Sequence, residues 1–241
     1  GYIESLWWII AQFAKKKLLY QGRKVVPWCT RCGTALSSHE LALGYKEITD
    51  MSVYVKFKLK NNKLKTLNLK PDSDIYILSW TTTPWTLPGN VALAVGEKMT
   101  YVIFKLKTEN SKLETKEEFY IAAKDRVEVV MGKGNYEIVS EVKGKDLVGM
   151  SYIPLFNIPQ LTSKKSYRIY AADFVTTTDG TGVVHTAVMY GEDDYELGLE
   201  EKLPQHHTVD EQGKFTKDVA DLAGMYAKAQ KTEEAIFKQK L

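Results

Sequence analysis

The sequence predicts an α+β fold, a strand-rich body with short helices at its margins, and three observations carry that prediction. Apolar residues alternate at period two from Ser52 onward, as in SVYVKFKLK and YVIFKLK. Helical spacing marks only the two ends and two short internal stretches. No fixed-period repeat, low-complexity tract or linker divides the strand-rich run, so it reads as one domain. With 241 residues, 44% of them hydrophobic, the chain can bury one substantial core or two modest ones.

In order along the chain, YIESLWWIIAQFAKKKLLYQG places Ile3, Leu6, Trp7, Ile10, Phe13 and Leu18 at near-helical spacing, with Gly22 as a stop. RKVVPWCTRCGTALSSHEL then has the strand-and-knuckle look of a zinc ribbon. Cys29 and Cys32, the only cysteines, argue against a disulfide scaffold and for a metal half-site or a redox pair. A structural zinc takes four ligands, no second Cys-x-x-Cys is present, and His39 is the one histidine nearby. SVYVKFKLK and KLKTLNLK flank Asn61-Asn62 as a hairpin, followed by the more buried DIYILSW. VALAV, YVIFKLK, EFYIAA, YEIVSEV, YRIYAADFV and GVVHTAV have strand composition, while AKDRVEVVMG and GEDDYELGLEEK read as short helices. QHHTVDEQGKF reads as a strand before a glycine turn, with His206 and His207 structural or exposed, and YAKAQKTEEAIFKQKL as a final amphipathic helix. The expected divisions are an N-terminal extension at 1–43, a strand-rich core at 44–225 and a C-terminal helix at 226–241. Such a chain, with half a metal site, reads as an excised piece.

Several classes are excluded on simple grounds. The longest apolar run, LWWII, is far below the ~20 residues of a membrane span and lacks a secretory cleavage site, so a cytoplasmic protein is expected. A net charge of +3 falls far short of the basic stripe of an autonomous nucleic-acid binder.

Two stretches carry chemistry. In SWTTTPWTLPGN, threonine's liking for strands would alone explain Thr81, Thr82 and Thr83. Pro84 and Pro88, however, force the strand to end there, leaving hydroxyls and freed amides at a strand mouth where they can hold water or a ribose oxygen. In DGTGVVHTAVMYGEDDYELG, period two places Val183, His185 and Ala187 on one face, so the imidazole shares its face with small apolar groups, as in a pocket lining. Glu192, Asp193 and Asp194 also suit a helix start for dipole reasons alone. The His185–Asp194 spacing fits no common metal signature, and no Gly-x-Ser-x-Gly elbow is present, which leaves water as the attacking group.

Together these stretches resemble the editing domain of isoleucyl-tRNA synthetases, the connective insertion of those class I enzymes. The flanks WWIIAQFAKKKLLYQGRKVVPWCTRCGTALSSHELALGYKEI, TVDEQGKF and DLAGM extend the likeness over nearly the whole chain, with a bacterial-like knuckle. Valyl and leucyl relatives usually carry Thr-Thr-Arg-Pro where this chain has Thr82-Thr83-Pro84. Neither His-x-Gly-His nor Lys-Met-Ser-Lys-Ser occurs, so no amino-acid activation is expected.

The resemblance implies a β-barrel editing core and hydrolysis of valine wrongly esterified to tRNA(Ile), with Ile-tRNA(Ile) excluded by size. One methylene is worth only ~1 to 3 kcal/mol, too little for a single sieve. By motif position Asp194 holds the α-ammonium, and His185 lines the side-chain pocket with Trp85 and Thr86. Thr82 and Thr83 position water or the ester carbonyl, with Thr81 and Asn90 supporting the loop. No strong general base is evident, so positioning and electrostatic stabilisation supply the rate. No cofactor is implied for hydrolysis; a structural zinc at Cys29 and Cys32 requires partner cysteines outside this chain. The implied partners are the tRNA(Ile) 3′ end and the remainder of the synthetase, with the fragment monomeric. Where the family commonly has proline after Ala187, this chain has Val188-Met189-Tyr190, which allows the loop to Asp194 another path. Two rival readings are a non-catalytic tRNA-docking module and, ranked last, a metal-dependent hydrolase using His185 with the acidic cluster.

Overall fold

The computed structural model describes residues 1–47, 49–60, 73–107 and 117–228. The expected Asn61-Asn62 hairpin and all but the first three residues of the expected final helix lie outside the described residues. Helix α1 (Tyr2–Lys15) forms as its spacing predicts, but none of its residues is buried, and Ile3, Leu6, Trp7 and Phe13 stand exposed. It stops well before Gly22. Lys17 takes the left-handed conformation (φ 56°), the Leu18 amide reaches back to the Phe13 carbonyl (3.0 Å) and the Lys17 amide to that of Ala14 (3.0 Å). That is a Schellman stop made without glycine.

The knuckle is a two-stranded ribbon, β1 (Trp28–Cys29) against β2 (Thr34–Ala35). Helix α2 (Ser38–Leu43) follows, started by a capping box in which Ser37 Oγ accepts the Glu40 amide and Glu40 accepts the Ser37 amide. Trp28 Nε1 donates to the Glu211 carbonyl (2.9 Å), tying the ribbon to the body.

Strands β3 (Val53–Lys58), β4 (Asp74–Thr81), β6 (Thr100–Leu106), β7 (Glu118–Ala123) and β8 (Tyr136–Lys143) form a five-stranded mixed sheet in the order β3-β4-β7-β6-β8, with β4 and β7 parallel. Strands β5 (Ala92–Val95), β9 (Arg168–Ala171) and β10 (Val183–Thr186) form a three-stranded sheet in the order β10-β5-β9, with β5 and β9 parallel. Both sheets feed one core: Phe57, Ile75, Ile77, Ile103 and Ile121 from the larger meet Leu93, Val95, Ile169 and Val183 from the smaller. The far face of the larger sheet, including Leu78 and Phe104, is covered by Val127 of α3 (Lys124–Met131). Leu197 of α5 (Glu192–Glu200) covers Ala94 of the smaller sheet. Short α4 (Gly144–Leu147) buries Leu147 in the main core.

Among the described residues the expected closed barrel does not form. β4 already shares its edges with β3 and β7, so β10 meets it through hydroxyls instead of a ladder. Ser79 Oγ donates to the Val183 carbonyl (2.9 Å) and Thr181 Oγ1 to the Leu78 carbonyl (2.7 Å). A second seam is the segment 149–153, whose amides and carbonyls join the end of β3 to β9: Ile153 N–H to the Lys58 carbonyl (2.8 Å), Ile169 N–H to that of Met150 (2.9 Å). Two sheets stitched at two seams replace one continuous barrel. The stretch around His206 and His207, expected as a strand, is irregular, because it is held by side chains: His206 Nε2 lies 3.1 Å from Asp218 Oδ2.

Candidate functional site

Strand β4 ends at Thr81, and the chain turns into a 3₁₀ helix over Pro84–Gly89 with proline at its start. Thr81 Oγ1 accepts the Thr83 amide (3.0 Å) and lies 3.2 Å from Thr83 Oγ1, closing the turn. Thr82 and Thr83 are exposed, while Thr81, Thr86 and Asn90 are buried.

The two motifs meet through His185, which is only 7% exposed. Its Nε2 lies 2.7 Å from Thr86 Oγ1, and its Nδ1 lies 3.3 Å from Asn90 Nδ2. One proton arrangement satisfies every member. The Ala92 carbonyl, 2.9 Å from the Asn90 amide, requires the NH₂ there, so the Tyr152 hydroxyl donates to Asn90 Oδ1 (2.6 Å). The second amide hydrogen then meets Nδ1 as acceptor, which places the ring proton on Nε2. Nε2–H donates to Thr86 Oγ1, whose own hydrogen goes to the Thr83 carbonyl (2.8 Å). Burial pushes the imidazole down to about 4, so it is neutral near pH 7. His185 is thus a fully engaged, neutral link between β10 and the threonine turn.

Asp194 sits in the first turn of α5, half-buried, and its Oδ2 accepts the Ala187 amide at 3.3 Å, two residues past His185. Burial raises its carboxyl to about 6, opposed by the Ala187 hydrogen bond and aided slightly by Asp193. Trp85 is half-buried, its ring edge-on to Tyr190 at 5.2 Å, and its Nε1 has no partner among the described residues. A cavity of about 270 Å³ opens beside the turn, lined by Trp80, Thr81, Thr82, Phe174, Asp179 and Gly182 among others. Gly182 (φ 72°) is required here, since a Cβ would fall 2.4 Å from that of Ala123. Of the expected site residues, Thr81 and Thr82 reach this cavity; Thr83, Trp85, Thr86, Asn90, His185 and Asp194 do not line it.

Sequence reasoning missed Tyr152, whose place in the network follows from the second seam and has no local signal. At the knuckle, Cys29 Sγ accepts the Cys32 amide (3.3 Å), which lowers the Cys29 thiol, while the neighbouring Cys29 sulfur raises that of Cys32. Among the described residues no group of three or more metal-ligating side chains gathers there.

Residues 1–230 match the family described as tRNA synthetases class I (I, L, M and V). Isoleucine–tRNA ligase of Clostridium novyi (strain NT) is 46% identical over 227 residues, covering 94% of this chain and 20% of that protein. Isoleucine–tRNA ligase 2 of Bacillus cereus is 47% identical over 227 residues, with the same coverage of 94% and 20%. The chain therefore spans about a fifth of the length of the curated relatives it matches. Among solved structures, the cytosolic leucyl-tRNA synthetase editing domain of P. knowlesi superposes with a TM-score of 0.50 at 17% identity, over 63% of this chain and 62% of that one, a likeness of fold.

Proposed function

The chain belongs to the class I tRNA synthetase family, and from that premise we propose that it is the editing region of an isoleucyl-tRNA synthetase. It hydrolyses the ester of valine misattached to tRNA(Ile) and spares Ile-tRNA(Ile) by size. The observation that supports this reading best is the joining of two motifs far apart in the chain. Thr86 and His185 share a 2.7 Å hydrogen bond, and Asp194 accepts the amide of Ala187, the residue just past the strand that carries His185.

In this reading the water oxygen attacks the ester carbonyl carbon, the bond to the ribose oxygen breaks, and the ribose oxygen takes up the water's proton. Free valine and uncharged tRNA result. The exposed Thr82 and Thr83 hydroxyls orient water or the carbonyl oxygen, with Thr81 supporting their turn, and ionised Asp194 holds the α-ammonium by a charge-assisted contact. His185, neutral and with both ring nitrogens engaged, serves as part of the wall with Trp85 and Thr86 instead of as a base. Rate comes from positioned dipoles in a partly desolvated site. Cys29 and Cys32 supply half of a structural zinc site completed elsewhere in a longer protein, and the tRNA(Ile) acceptor end and the rest of a cytoplasmic synthetase are its partners.

Incubating the chain with Val-tRNA(Ile), and following tRNA binding and free valine separately, tests the reading. Release of valine supports it. Binding with the ester intact favours a docking module, and release abolished by a chelator favours metal-dependent hydrolysis.

A further inference from the structure

The Val188-Met189-Tyr190 stretch does more than connect β10 to α5. The Tyr190 amide turns back onto the Ala187 carbonyl (2.9 Å), so its backbone is anchored beside the residue whose own amide holds Asp194. Its phenol oxygen accepts two backbone hydrogens, from Thr208 (2.7 Å) and Val209 (2.8 Å), and lies 3.0 Å from Thr208 Oγ1. With both acceptor positions taken, the phenol proton goes to that threonine hydroxyl. Phenylalanine here would leave two backbone amides in a half-buried segment without this acceptor.

The ring between these anchors bears on the threonine turn. It stands edge-on to Trp85 at 5.2 Å and edge-on to His207 at 6.1 Å. It also lies against Gly89, where any Cβ would fall 2.9 Å from Tyr190 Cε2 and 3.4 Å from Thr208 Oγ1. Behind the phenol, residues 208–222 form a small folded lobe: Val209 bridges Phe215, the Thr216 amide donates to the Thr208 carbonyl (3.0 Å), and the Val219 amide to that of Thr216 (3.1 Å). Phe215, Val219 and Leu222 of this lobe share a buried cluster with Val91 and Val188, against which Trp85 packs.

We propose that Tyr190 is a positioning residue for the size sieve, a strut that transmits the rigidity of the 208–222 lobe to the Pro84–Gly89 turn and fixes Trp85 at the valine-sized wall. The assignment of a sieve to Trp85 rests on the proposed editing function; the mechanical linkage does not. Tyr190 touches neither ester nor water, and acts by limiting how far Trp85 and the turn can yield to a larger side chain.

The test compares the full chain with Tyr190→Phe, which keeps the ring and removes only the phenol anchor, and with Gly89→Ala, which presses on the ring edge at Cε2. Two readouts are needed: amide exchange and the Trp85 indole resonance by NMR, and deacylation of Val-tRNA(Ile) and Ile-tRNA(Ile). Tyr190→Phe should speed exchange at Thr208 and Val209 by about tenfold or more, shift the Trp85 indole signal, and loosen the 84–89 amides. The valine-to-isoleucine discrimination should narrow roughly fivefold, mainly through faster loss of the isoleucyl ester, while Val-tRNA kcat changes little. Gly89→Ala should move the same Trp85 signal. Loss of protection confined to Thr208 and Val209, with Trp85 and the turn unmoved, would overturn the proposal, as would a shifted Trp85 with unchanged discrimination. If the parent chain releases no valine, the editing reading fails, and the NMR arm alone still decides whether the strut exists.

Discussion

Asp194, half-buried, and His185, buried, are desolvated acid–base groups whose pKa values move in opposite directions. The carboxyl of Asp194, raised to about 6 by burial, must be ionised to hold an α-ammonium, so kcat/KM for Val-tRNA(Ile) should rise with pH through about 6 and then level. A profile flat from about pH 5 would remove Asp194 from that role. Asp194→Ala should lower kcat/KM by about a hundredfold, a loss of ~2.7 kcal/mol, with the circular dichroism unchanged. Near-parental deacylation would refute the assignment. His185, low at about 4 and doubly engaged, should show the Nε2–H tautomer by ¹⁵N NMR at neutral pH; an Nδ1–H ring would break the proton order inferred from the Ala92 carbonyl. The strand-ending prolines mark out the threonine turn in the sequence, whereas His185 and Asp194 are singled out only by the resemblance, since pattern alone equally suits a core histidine and a helix start. Tyr152 and Tyr190 were not legible, since what makes them matter is a contact made only after the chain folds back.

At the level of elements, period two found the strands because each has one face in the shared core, and DIYILSW reads as buried because β4 packs on both faces, Ile75 and Ile77 one way and Leu78 the other. The end of α1 was misplaced because its left-handed residue is Lys17, which no sequence rule favours over the later Gly22. Helix α2 was not expected, although Ser37-Ser38-His39-Glu40 carries a capping-box signature, because its single turn and a half is too short to show helical periodicity. Which strands neighbour one another was not readable, since pairing is non-local and hydroxyl seams leave no periodic trace. The β4–β10 seam makes a prediction of its own. Thr181→Val keeps the shape and deletes the donor to the Leu78 carbonyl, and should lower the unfolding free energy by about 1 to 2 kcal/mol in urea titration. No change would show that packing alone holds the two sheets together.

Across the whole molecule, the two buried titrations give stability a composite pH dependence. His185 has its folded pKa depressed to about 4 from 6.5, so its contribution is present above 6.5 and is lost as pH falls toward 4. Asp194 has its folded pKa raised to about 6 from 3.8, so its contribution is present below 3.8 and is lost as pH rises through 6. The slopes oppose one another over the same window. Asp194→Asn removes one of them, and its stability should gain on the parent by up to about 3 kcal/mol between acid and neutral pH. A constant difference would mean that the carboxyl is not desolvated. A desolvated anion of this kind is what a substrate ammonium would relieve.

Size selectivity tests the central claim most directly: the initial rate of ester loss from Val-tRNA(Ile) and from Ile-tRNA(Ile), measured side by side on this chain under identical conditions. A two-sieve editing site predicts the valyl ester lost at least about tenfold faster, within the range one methylene commands. Equal rates on the two esters would contradict the account.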